Sequence, residues 1–444
     1  MKVKTTLKDK LEHIVENWRK TYREVISNYG DVVIDNIKVK QILGGMRNVD
    51  ALVCETSFVD PYEGIKFRGY TIKEVLDKLP KPKGANYPYA LGIWYLLLTG
   101  EIPTENEIIE LEEHVKSKEK LPQYVIEILR NIPSNTHPMT QFSIAILSMQ
   151  RESIFTKELH NISKSDYWKY MLEDSINLVA RVPIIAAYIY RRTYRDDVFV
   201  KPNKDLDWAA NFAYMLNPYD DYVINPDFVD LMRLYLILHS DHEGGNVSAH
   251  TCFNVSSSLS DIYYSVSAGL NGLAGPLHGS ASSDSLKWIL SILKFYNRLP
   301  SEEELYNYVN SYLDAGKIIP GFGYSVLKVT DPRYLALKEF AEKYRLDSDI
   351  FRLIKMLYKV VPEILSSRGK VRDSYPNVDG HSGAMLYHYN IKESEFYTVV
   401  FGVSRVLGIT AQVIWARAVN YPIERPKSLT INDIVNLAKV KNKK

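Results

Sequence analysis

The chain has 444 residues, of which 46% are hydrophobic and 24% charged, and its formal net charge is +2 at pH 7. These values predict a globular protein of two or three domains, or one large core with an appended part, and they exclude a general nucleic-acid binder, which needs a basic surface. Two cysteines, Cys54 and Cys252, are too few for a disulfide framework.

The sequence also lacks the signals of a membrane or secreted protein. The longest apolar run, near Leu178–Tyr190, is interrupted by Arg181 and Pro183 and is too short to span a bilayer. Met1–Lys10 has neither the apolar stretch of a secretory signal nor the Arg- and Ser-rich composition of a transit peptide. We therefore expect no membrane association and a cytoplasmic location in a bacterium, with the mature form of a mitochondrial matrix protein as the alternative.

Helical periodicity dominates the chain. In the first half, short β-branched runs in Asp31–Val39 and Leu52–Val59 predict two small strands. Asn225–Asp227 predicts a helix start, because it combines a cap, a proline at the first helical position and an acid in the first turn. The apolar face of that helix continues to a predicted end near His239.

The second half predicts longer helices. Ser301–Glu304 is a capping box, and Gly316 predicts the end of the helix that follows it. Asp347–Ser367 and Glu393–Val419 predict long helices with wide apolar faces. The predicted fold class is mainly α, and no clear linker divides the chain.

Histidines and glycines cluster in loops between these helices. In His239–Asn246, the pair His239 and His242 stands beside an aspartate and a glutamate, which could bind a metal ion. The spacing differs from that of His-Glu-x-x-His and no thiolate is nearby, so we favour a hydrogen-bonding histidine over a metal ligand. A buried histidine with satisfied hydrogen bonds is the simpler alternative.

Two other glycine-rich loops could contact a ligand. Gly269–Gly279 holds His278 between glycines, where the backbone would fix its ring. Pro320–Ser325 contains two glycines whose backbone could hold a flat group, and Lys328 and Arg333 add positive charge nearby. Tight turns between helices would explain both loops equally well.

Three charged residues have unusual sequence contexts. Asp379, between small residues, could act as a base with a pKa shifted by burial or by a nearby cation, or it could simply cap the next helix. Arg405 lies within an apolar helix, where an arginine is costly unless it is paired. Arg405 and Arg425 could therefore serve an internal ion pair or an anionic ligand.

Several long segments, in order along the chain, match one protein family. His239–Thr251 reads HSDHEGGNVSAHT, and Asn271–Gly279 reads NGLAGPLHG. Five further segments match: Gly44–Arg47, Glu63–Tyr70, Thr330–Tyr334, Asn377–Gly383 (with Gly380 where alanine is usual) and Glu424–Ser428. Together they resemble citrate synthases of the type found in mitochondria and in some bacteria, and the resemblance covers nearly all 444 residues.

The resemblance implies a fold, an activity and an assembly. It implies an almost all-helical homodimer, with a large domain formed by residues 1–279 and 387–444 and a small domain, residues 280–386, that closes over the substrates. It implies an acyltransferase that condenses acetyl-CoA with oxaloacetate and then hydrolyses citryl-CoA to citrate and CoA. No metal and no cofactor are needed.

The resemblance also assigns the chemistry to particular residues. A thioester methyl proton is weakly acidic, so the reaction needs a base against that proton and a donor to the enolate oxygen. By position, Asp379 is the base and His278 the donor. Arg333, Arg405 and His242 hold oxaloacetate.

Two further sets of contacts follow from the resemblance. Arg425 reaches the oxaloacetate site from the other subunit. Arg47, Lys328 and Lys164, where family members often carry arginine, would meet the CoA phosphates. The backbone around Gly321 and Gly323 would face the adenine.

The sequence departs from the family pattern at Tyr324. The family has a histidine there that polarises the oxaloacetate carbonyl, and losing such a donor typically costs about 10²–10³ in turnover. Ser280–Ser283, near the same pocket, also departs from the usual residues. Tyr324 could replace the histidine as a catalytic donor; the pocket could prefer another substrate, as in 2-methylcitrate synthase with propionyl-CoA; or the chain could be a weakly active relative with a binding or structural role.

Overall fold

A computed structural model describes residues 6–219, 223–323, 326–369 and 374–441. Within these ranges the chain is helical almost throughout and contains one small antiparallel sheet of three strands, β1 (Ser57–Asp60), β2 (Gly64–Phe67) and β3 (Tyr70–Thr71). The mainly α fold class predicted from the sequence is therefore confirmed.

The helices of the first half precede and follow this sheet along the chain. They are α1 (Leu7–Tyr29), α2 (Val39–Leu43), α3 (Ile72–Lys78), α4 (Leu91–Thr99), α5 (Glu105–Lys116), α6 (Gln123–Asn131), α7 (Pro138–Ser148), α8 (Ile154–Glu158), α9 (Tyr167–Tyr194) and α10 (Trp208–Leu216), with 3-10 helices at Met149–Glu152 and Lys164–Asp166.

The helices of the second half include those that carry Arg333, Asp379 and Arg405. They are α11 (Pro226–Leu238), α12 (Val247–Ser257), α13 (Ile262–Leu273), α14 (Ala281–Tyr296), α15 (Glu302–Asp314), α16 (Pro332–Lys343), α17 (Asp349–Ser367), α18 (Asp379–His388), α19 (Tyr397–Ala418) and α20 (Ile431–Lys441), with a 3-10 helix at Ser394–Phe396.

Local signals located the ends of several helices. The Asn225 side chain caps α11 by accepting from the backbone N–H groups of Asp227 and Phe228 at 3.0 and 3.3 Å. The capping box at Ser301 begins α15. Gly316 follows that helix with a φ of +74°, a left-handed conformation that glycine adopts readily.

The strand predictions were less accurate. The strand predicted at Asp31–Val39 is wrong, because this segment runs without a hydrogen-bonded neighbour and leads into α2. Its apolar side chains are exposed, with Val33 at 75% and Ile34 at 77%. In Leu52–Val59 only the part from Ser57 onward forms a strand, since β1 pairs with β2 from Ser57 to Asp60.

Helix α19 is the core of the protein. It packs against α4, α9, α11, α12 and α13, and almost all of its 22 residues are buried. Within the described ranges it belongs to the one segment, Ser394–Ala418, that is long and apolar enough to cross a membrane, yet 94% of that apolar window is buried inside the protein. An all-round apolar helix of this kind is typical of a protein core.

Three helices begin close to Arg405 of this central helix. Asn246 caps α12 by accepting from the N–H of Ala249 at 3.1 Å. Asp331 caps α16 by accepting from the N–H of Arg333 at 2.9 Å, and α18 begins at Asp379. Residues far apart in sequence are thereby gathered at one set of helix ends.

Candidate active site

The buried carboxylate of Asp241 fixes the loop that carries His242. Asp241 accepts from the hydroxyls of Thr56 and Ser57 at 2.5 and 2.8 Å, and from the side-chain amide of Gln412 at 2.8 Å. Burial raises the pKa of Asp241, and the Thr56 and Ser57 hydroxyls and the charge of Arg405 oppose this shift only in part. The strand β1 and the core helix α19 therefore hold the loop together.

Glu243, two residues after Asp241, also fixes this loop. A Glu243 carboxylate oxygen accepts from the N–H of Val59 at 2.7 Å, and the Glu243 N–H donates to the hydroxyl of Ser57 at 2.8 Å. Burial and the nearby Arg333 and Arg405 lower the pKa of His242 to about 3. His242 is therefore a neutral hydrogen-bonding group at physiological pH.

His239 has a structural environment rather than that of a metal ligand. Its Nδ1 lies 2.9 Å from the carbonyl oxygen of Tyr235, and its ring stacks on the Tyr235 ring at 4.0 Å between centroids. Within the ranges given above, no group of three or more His, Cys, Asp or Glu side chains is arranged to hold a metal ion.

His278 lies in the loop after α13 and is oriented by Ser248. The Ser248 hydroxyl lies 2.9 Å from Nε2 of His278, and the Ser248 N–H donates to the same nitrogen at 3.3 Å. A nitrogen that accepts from a backbone N–H carries no proton, so the proton of the neutral ring is on Nδ1. Burial, assisted by the charge of Arg405, lowers the pKa of His278 to about 4.

Arg405 brings a positive charge into the core beside these histidines. Its side chain is only 2% exposed. The guanidinium donates to Asn246 Oδ1 at 3.2 Å and to the carbonyl oxygen of His239 at 3.3 Å, and it lies 4.7 Å from the centroid of the Phe401 ring. A planar guanidinium held in this way suits a carboxylate ligand.

A second guanidinium lies at the start of α16. Arg333 donates to both carboxylate oxygens of Asp331, at 3.1 Å from Nε and 2.8 Å from Nη2. Burial alone would raise the pKa of Asp331, but Arg333 outweighs it and holds that pKa below its usual range. The Val378 N–H also donates to Asp331 at 3.3 Å, which ties α16 to the segment that leads into α18.

Asp379 lies near both guanidinium groups, and its pKa is raised. Burial raises the pKa of Asp379 to about 6, although Arg333 and Arg405 oppose the shift. The Asn377 side chain accepts from the Asp379 N–H at 3.0 Å, so the Asp379 carboxylate is not used as the cap of its own helix. Such a carboxylate is ionised at neutral pH and basic enough to take a proton.

The glycine loop predicted to face the adenine packs beside Asp379. The carbonyl oxygen of Gly321 accepts from the Asn377 N–H at 3.0 Å, and the Gly323 N–H donates to the Tyr375 carbonyl oxygen at 3.1 Å. An added Cβ on Gly321, whose φ is +78°, would lie 2.7 Å from the Cα of Gly380. Glycine is therefore required at Gly321.

The remaining predicted site residues lie at the surface. Arg47, Lys164, Lys328 and Arg425 are all exposed. Only the backbone of Lys328 is tied near the cluster, through a hydrogen bond of 2.6 Å from its N–H to the carbonyl oxygen of Pro61. Tyr324 lies outside the described residues, so the prediction for it remains untested.

Sequence reasoning missed the residues that orient the cluster. Ser248, Asn246 and Asp331 stand within the motifs quoted above, but no role was inferred for them. For Asp331, the order Asp-Pro-Arg is a helix-start signal that could have revealed the cap. The contact of Ser248 with His278 joins residues 30 positions apart, and no local pattern indicates it.

We expect Ser248→Ala to lower kcat several-fold. The change removes the hydroxyl at Nε2 of His278 and leaves the backbone N–H there. This hydroxyl also donates to Asn246 Oδ1 at 2.7 Å and accepts from Arg405 at 3.4 Å. We expect a loss of about 1 kcal/mol. The matched control is Ser256→Ala in the same helix, which removes only a hydrogen bond to the Phe253 carbonyl oxygen. Steady-state kinetics of both variants would test this; equal kcat values for the two variants would contradict it.

The fold and the geometry define a class of protein: a mainly helical one in which an aspartate with a raised pKa and a neutral histidine lie near two buried guanidinium groups. Residues 45–427 match the family model described as "Citrate synthase, C-terminal domain". The mitochondrial citrate synthase of Xiphias gladius is 43% identical over 99% of this chain and 93% of its own length. Citrate synthase 4, mitochondrial, of Arabidopsis thaliana is 45% identical over 96% of this chain and 89% of its own length.

Two further comparisons agree. The peroxisomal citrate synthase of Saccharomyces cerevisiae is 43% identical over 98% of this chain and 94% of its own length. The crystal structure of citrate synthase from Pyrobaculum aerophilum has a TM-score of 0.76, is 29% identical, and covers 87% of this chain and 92% of that one. This chain belongs to the citrate synthase family.

The family is one of acyltransferases, and its reaction is that of this chain: acetyl-CoA, oxaloacetate and water give citrate and CoA, without a cofactor. The 2-methylcitrate synthase alternative is not favoured.

The predicted bacterial cytoplasmic location is wrong, because the relatives from Xiphias gladius, Arabidopsis thaliana and Saccharomyces cerevisiae are mitochondrial or peroxisomal. The mitochondrial alternative is consistent with them. Amino-acid composition does not distinguish the cytoplasm from these organelles, because proteins fold in water in both.

Proposed function

We propose that Asp379 and His278 perform the enolisation step of this reaction. Asp379 takes a methyl proton from acetyl-CoA, and the Nδ1–H of His278 donates to the enolate oxygen. The observation that carries this assignment is the pair of opposite pKa shifts in two partly buried side chains near Arg405, with the pKa of Asp379 raised to about 6 and that of His278 lowered to about 4. At neutral pH these two pKa values leave Asp379 ionised and His278 uncharged. This combination suits a base beside a neutral hydrogen-bond donor.

Oxaloacetate binds next to this pair through Arg333, Arg405 and His242. Its two carboxylates need cations, and both guanidinium groups lower the pKa of His242, which supports a single shared pocket. A planar guanidinium can bind a carboxylate through two parallel hydrogen bonds. The neutral His242 donates a further hydrogen bond to the substrate.

CoA binds along the outer side of the pocket. The exposed side chains of Arg47, Lys164 and Lys328 contact the phosphates. The backbone at Gly321 and Gly323 lies against the adenine. The close packing of that loop on the segment before Asp379 supports the placement of CoA beside the proposed base.

The enzyme acts as a homodimer in which Arg425 of one copy completes the oxaloacetate site of the other. Support comes from apolar side chains near both chain ends that are between 61% and 77% exposed: Val33, Ile34, Leu43, Ile423, Ile431 and Val440. Apolar exposure of this extent marks a surface that packs on another protein. In the sequence, Arg425 stands between two of these side chains, Ile423 and Ile431.

Each subunit divides into a large domain, residues 1–279 and 387–444, and a small domain, residues 280–386, that closes over the substrates. The mutual packing of α14, α15, α17 and α18 supports a separate unit. Closure excludes water from the enolate and brings Asp379 and Arg333 toward the histidines of the large domain.

Tyr324 is the carbonyl-polarising donor in place of the family histidine. We expect Tyr324→Phe, which lacks the hydroxyl, to lower turnover about 10²-fold, and Tyr324→His to remain active. The test is release of free thiol from acetyl-CoA with oxaloacetate, for the parent and both variants.

The control in this assay is binding of oxaloacetate and CoA by calorimetry, so that lost turnover is not confused with lost binding. A parent that binds both molecules but releases no thiol would contradict the proposed roles. Equal turnover of the parent and Tyr324→Phe would contradict the role of Tyr324 alone. A silent parent with an active Tyr324→His variant would indicate an intact scaffold with another natural reaction.

A further inference from the structure

The turn between β1 and β2 contacts the loop and helix that carry Arg333. The carbonyl oxygen of Pro61 accepts from the backbone N–H of Lys328 at 2.6 Å. An added Cβ on Gly64, whose φ is +81°, would lie 2.4 Å from both Cγ and Cδ of the Pro332 ring. The turn therefore fits closely against the residue that precedes Arg333.

The strand before this turn holds the other side of the site. The hydroxyl of Ser57 contacts both Asp241 and the backbone N–H of Glu243, and the Val59 N–H donates to the Glu243 carboxylate. His242 lies between these two acids. One hairpin of eleven residues, Ser57–Phe67, thus contacts both segments that present oxaloacetate-binding residues.

We propose that the β1–β2 hairpin is a positioning element that sets the separation of His242 and Arg333 when the two proposed domains are closed. The inference rests on the proposed function, because it takes these two residues as oxaloacetate ligands. Oxaloacetate is short and carries a carboxylate at each end, so its binding residues must be spaced correctly. A misplacement of about 1 Å can cost about 10²-fold in rate.

Two glycines of the same sheet provide a matched test. Gly69, between β2 and β3, has a φ of +87°, and an added Cβ there would meet nothing within 4 Å. Gly64→Ala and Gly69→Ala therefore introduce the same left-handed strain, but only Gly64→Ala pushes against Pro332. We expect the dissociation constant and KM for oxaloacetate to rise about tenfold or more in Gly64→Ala, and less than twofold in Gly69→Ala.

Amide hydrogen exchange supplies a readout that needs no turnover. The amide of Lys328 should exchange faster in Gly64→Ala than in Gly69→Ala, because its hydrogen bond to Pro61 is displaced. Adding Pro332→Ala to Gly64→Ala removes the ring that the new Cβ meets, so the double variant should regain slow exchange and tighter oxaloacetate binding. Pro332→Ala alone serves as its reference.

The outcomes separate this inference from the proposed function. Equal exchange at Lys328 in the two glycine variants, or oxaloacetate affinities within twofold of each other, would overturn the positioning role. A double variant no better than Gly64→Ala would also overturn it. A parent that binds oxaloacetate but releases no thiol would overturn the proposed function only, since the affinity and exchange comparisons still decide the role of the hairpin.

Discussion

Replacing Asp379 with asparagine is expected to lower kcat by about 10²–10⁴, the usual contribution of a general base. The side chain keeps its shape but can no longer accept the methyl proton. The affinity for oxaloacetate should change little, because Arg333 and Arg405 remain. Thiol-release kinetics and oxaloacetate calorimetry on the same preparation would measure both effects.

The pH dependence should follow the same group. The reaction needs Asp379 ionised, and burial raises its pKa to about 6. Below about pH 6 the carboxyl becomes protonated, so kcat/KM should fall toward tenfold per pH unit as the pH decreases further. This acidic limb, the fall in kcat/KM below about pH 6, reports the pKa of Asp379 in the free enzyme. It should be absent from the residual activity of Asp379→Asn.

Asp174 offers a matched control for this prediction. Burial raises the pKa of Asp174 to about 6 as well, but this carboxylate accepts from the backbone N–H groups of Ile154 and Phe155. Asp174→Asn should reduce stability and leave the acidic limb in place. If Asp379→Asn kept more than a tenth of the parent kcat, Asp379 would not be the base.

The second large effect is expected at Arg405. Arg405→Leu should raise the KM for oxaloacetate about 10²-fold or more, since truncating one partner of a buried charged contact costs about 2–5 kcal/mol. Arg405→Lys should be intermediate, because an ammonium group keeps the charge but not the planar fork. Steady-state kinetics at varied oxaloacetate concentration would separate the three proteins.

Arg417 controls for the cost of losing any buried arginine from α19. It is also 2% exposed and lies in the same helix, twelve positions beyond Arg405. Arg417→Leu should leave the KM for oxaloacetate within about twofold of the parent, whatever its effect on stability. A similar rise in both variants would mean that Arg405 acts through the helix and not through the substrate.

Local sequence signals predicted the parts of this fold that local physics determines. The cap at Asn225 and the capping box at Ser301 involve residues two or three apart, so the pattern alone identifies them. The prediction of a strand at Asp31–Val39 failed because a strand needs a hydrogen-bonded neighbouring strand. The β-propensity of the residues alone does not provide that partner.

The site was predicted unevenly for the same reason. The family resemblance identified His278, Asp379 and Arg405, and the structure brings them into one electrostatic cluster. The orienting contacts of Ser248 with His278, and of Ser57 with the His242 loop, join residues 30 or more positions apart. Such contacts depend on how whole helices and strands pack, which no local pattern encodes.

The most direct test of the account is a crystal structure of the protein with oxaloacetate and carboxymethyl-CoA, an unreactive analogue of acetyl-CoA. We expect oxaloacetate with its carboxylates on Arg333 and Arg405 and a hydrogen bond from His242, and the analogue's carboxymethyl group between Asp379 and His278. Oxaloacetate bound away from both arginines, or an analogue whose carboxymethyl group lies outside the reach of Asp379, would contradict it.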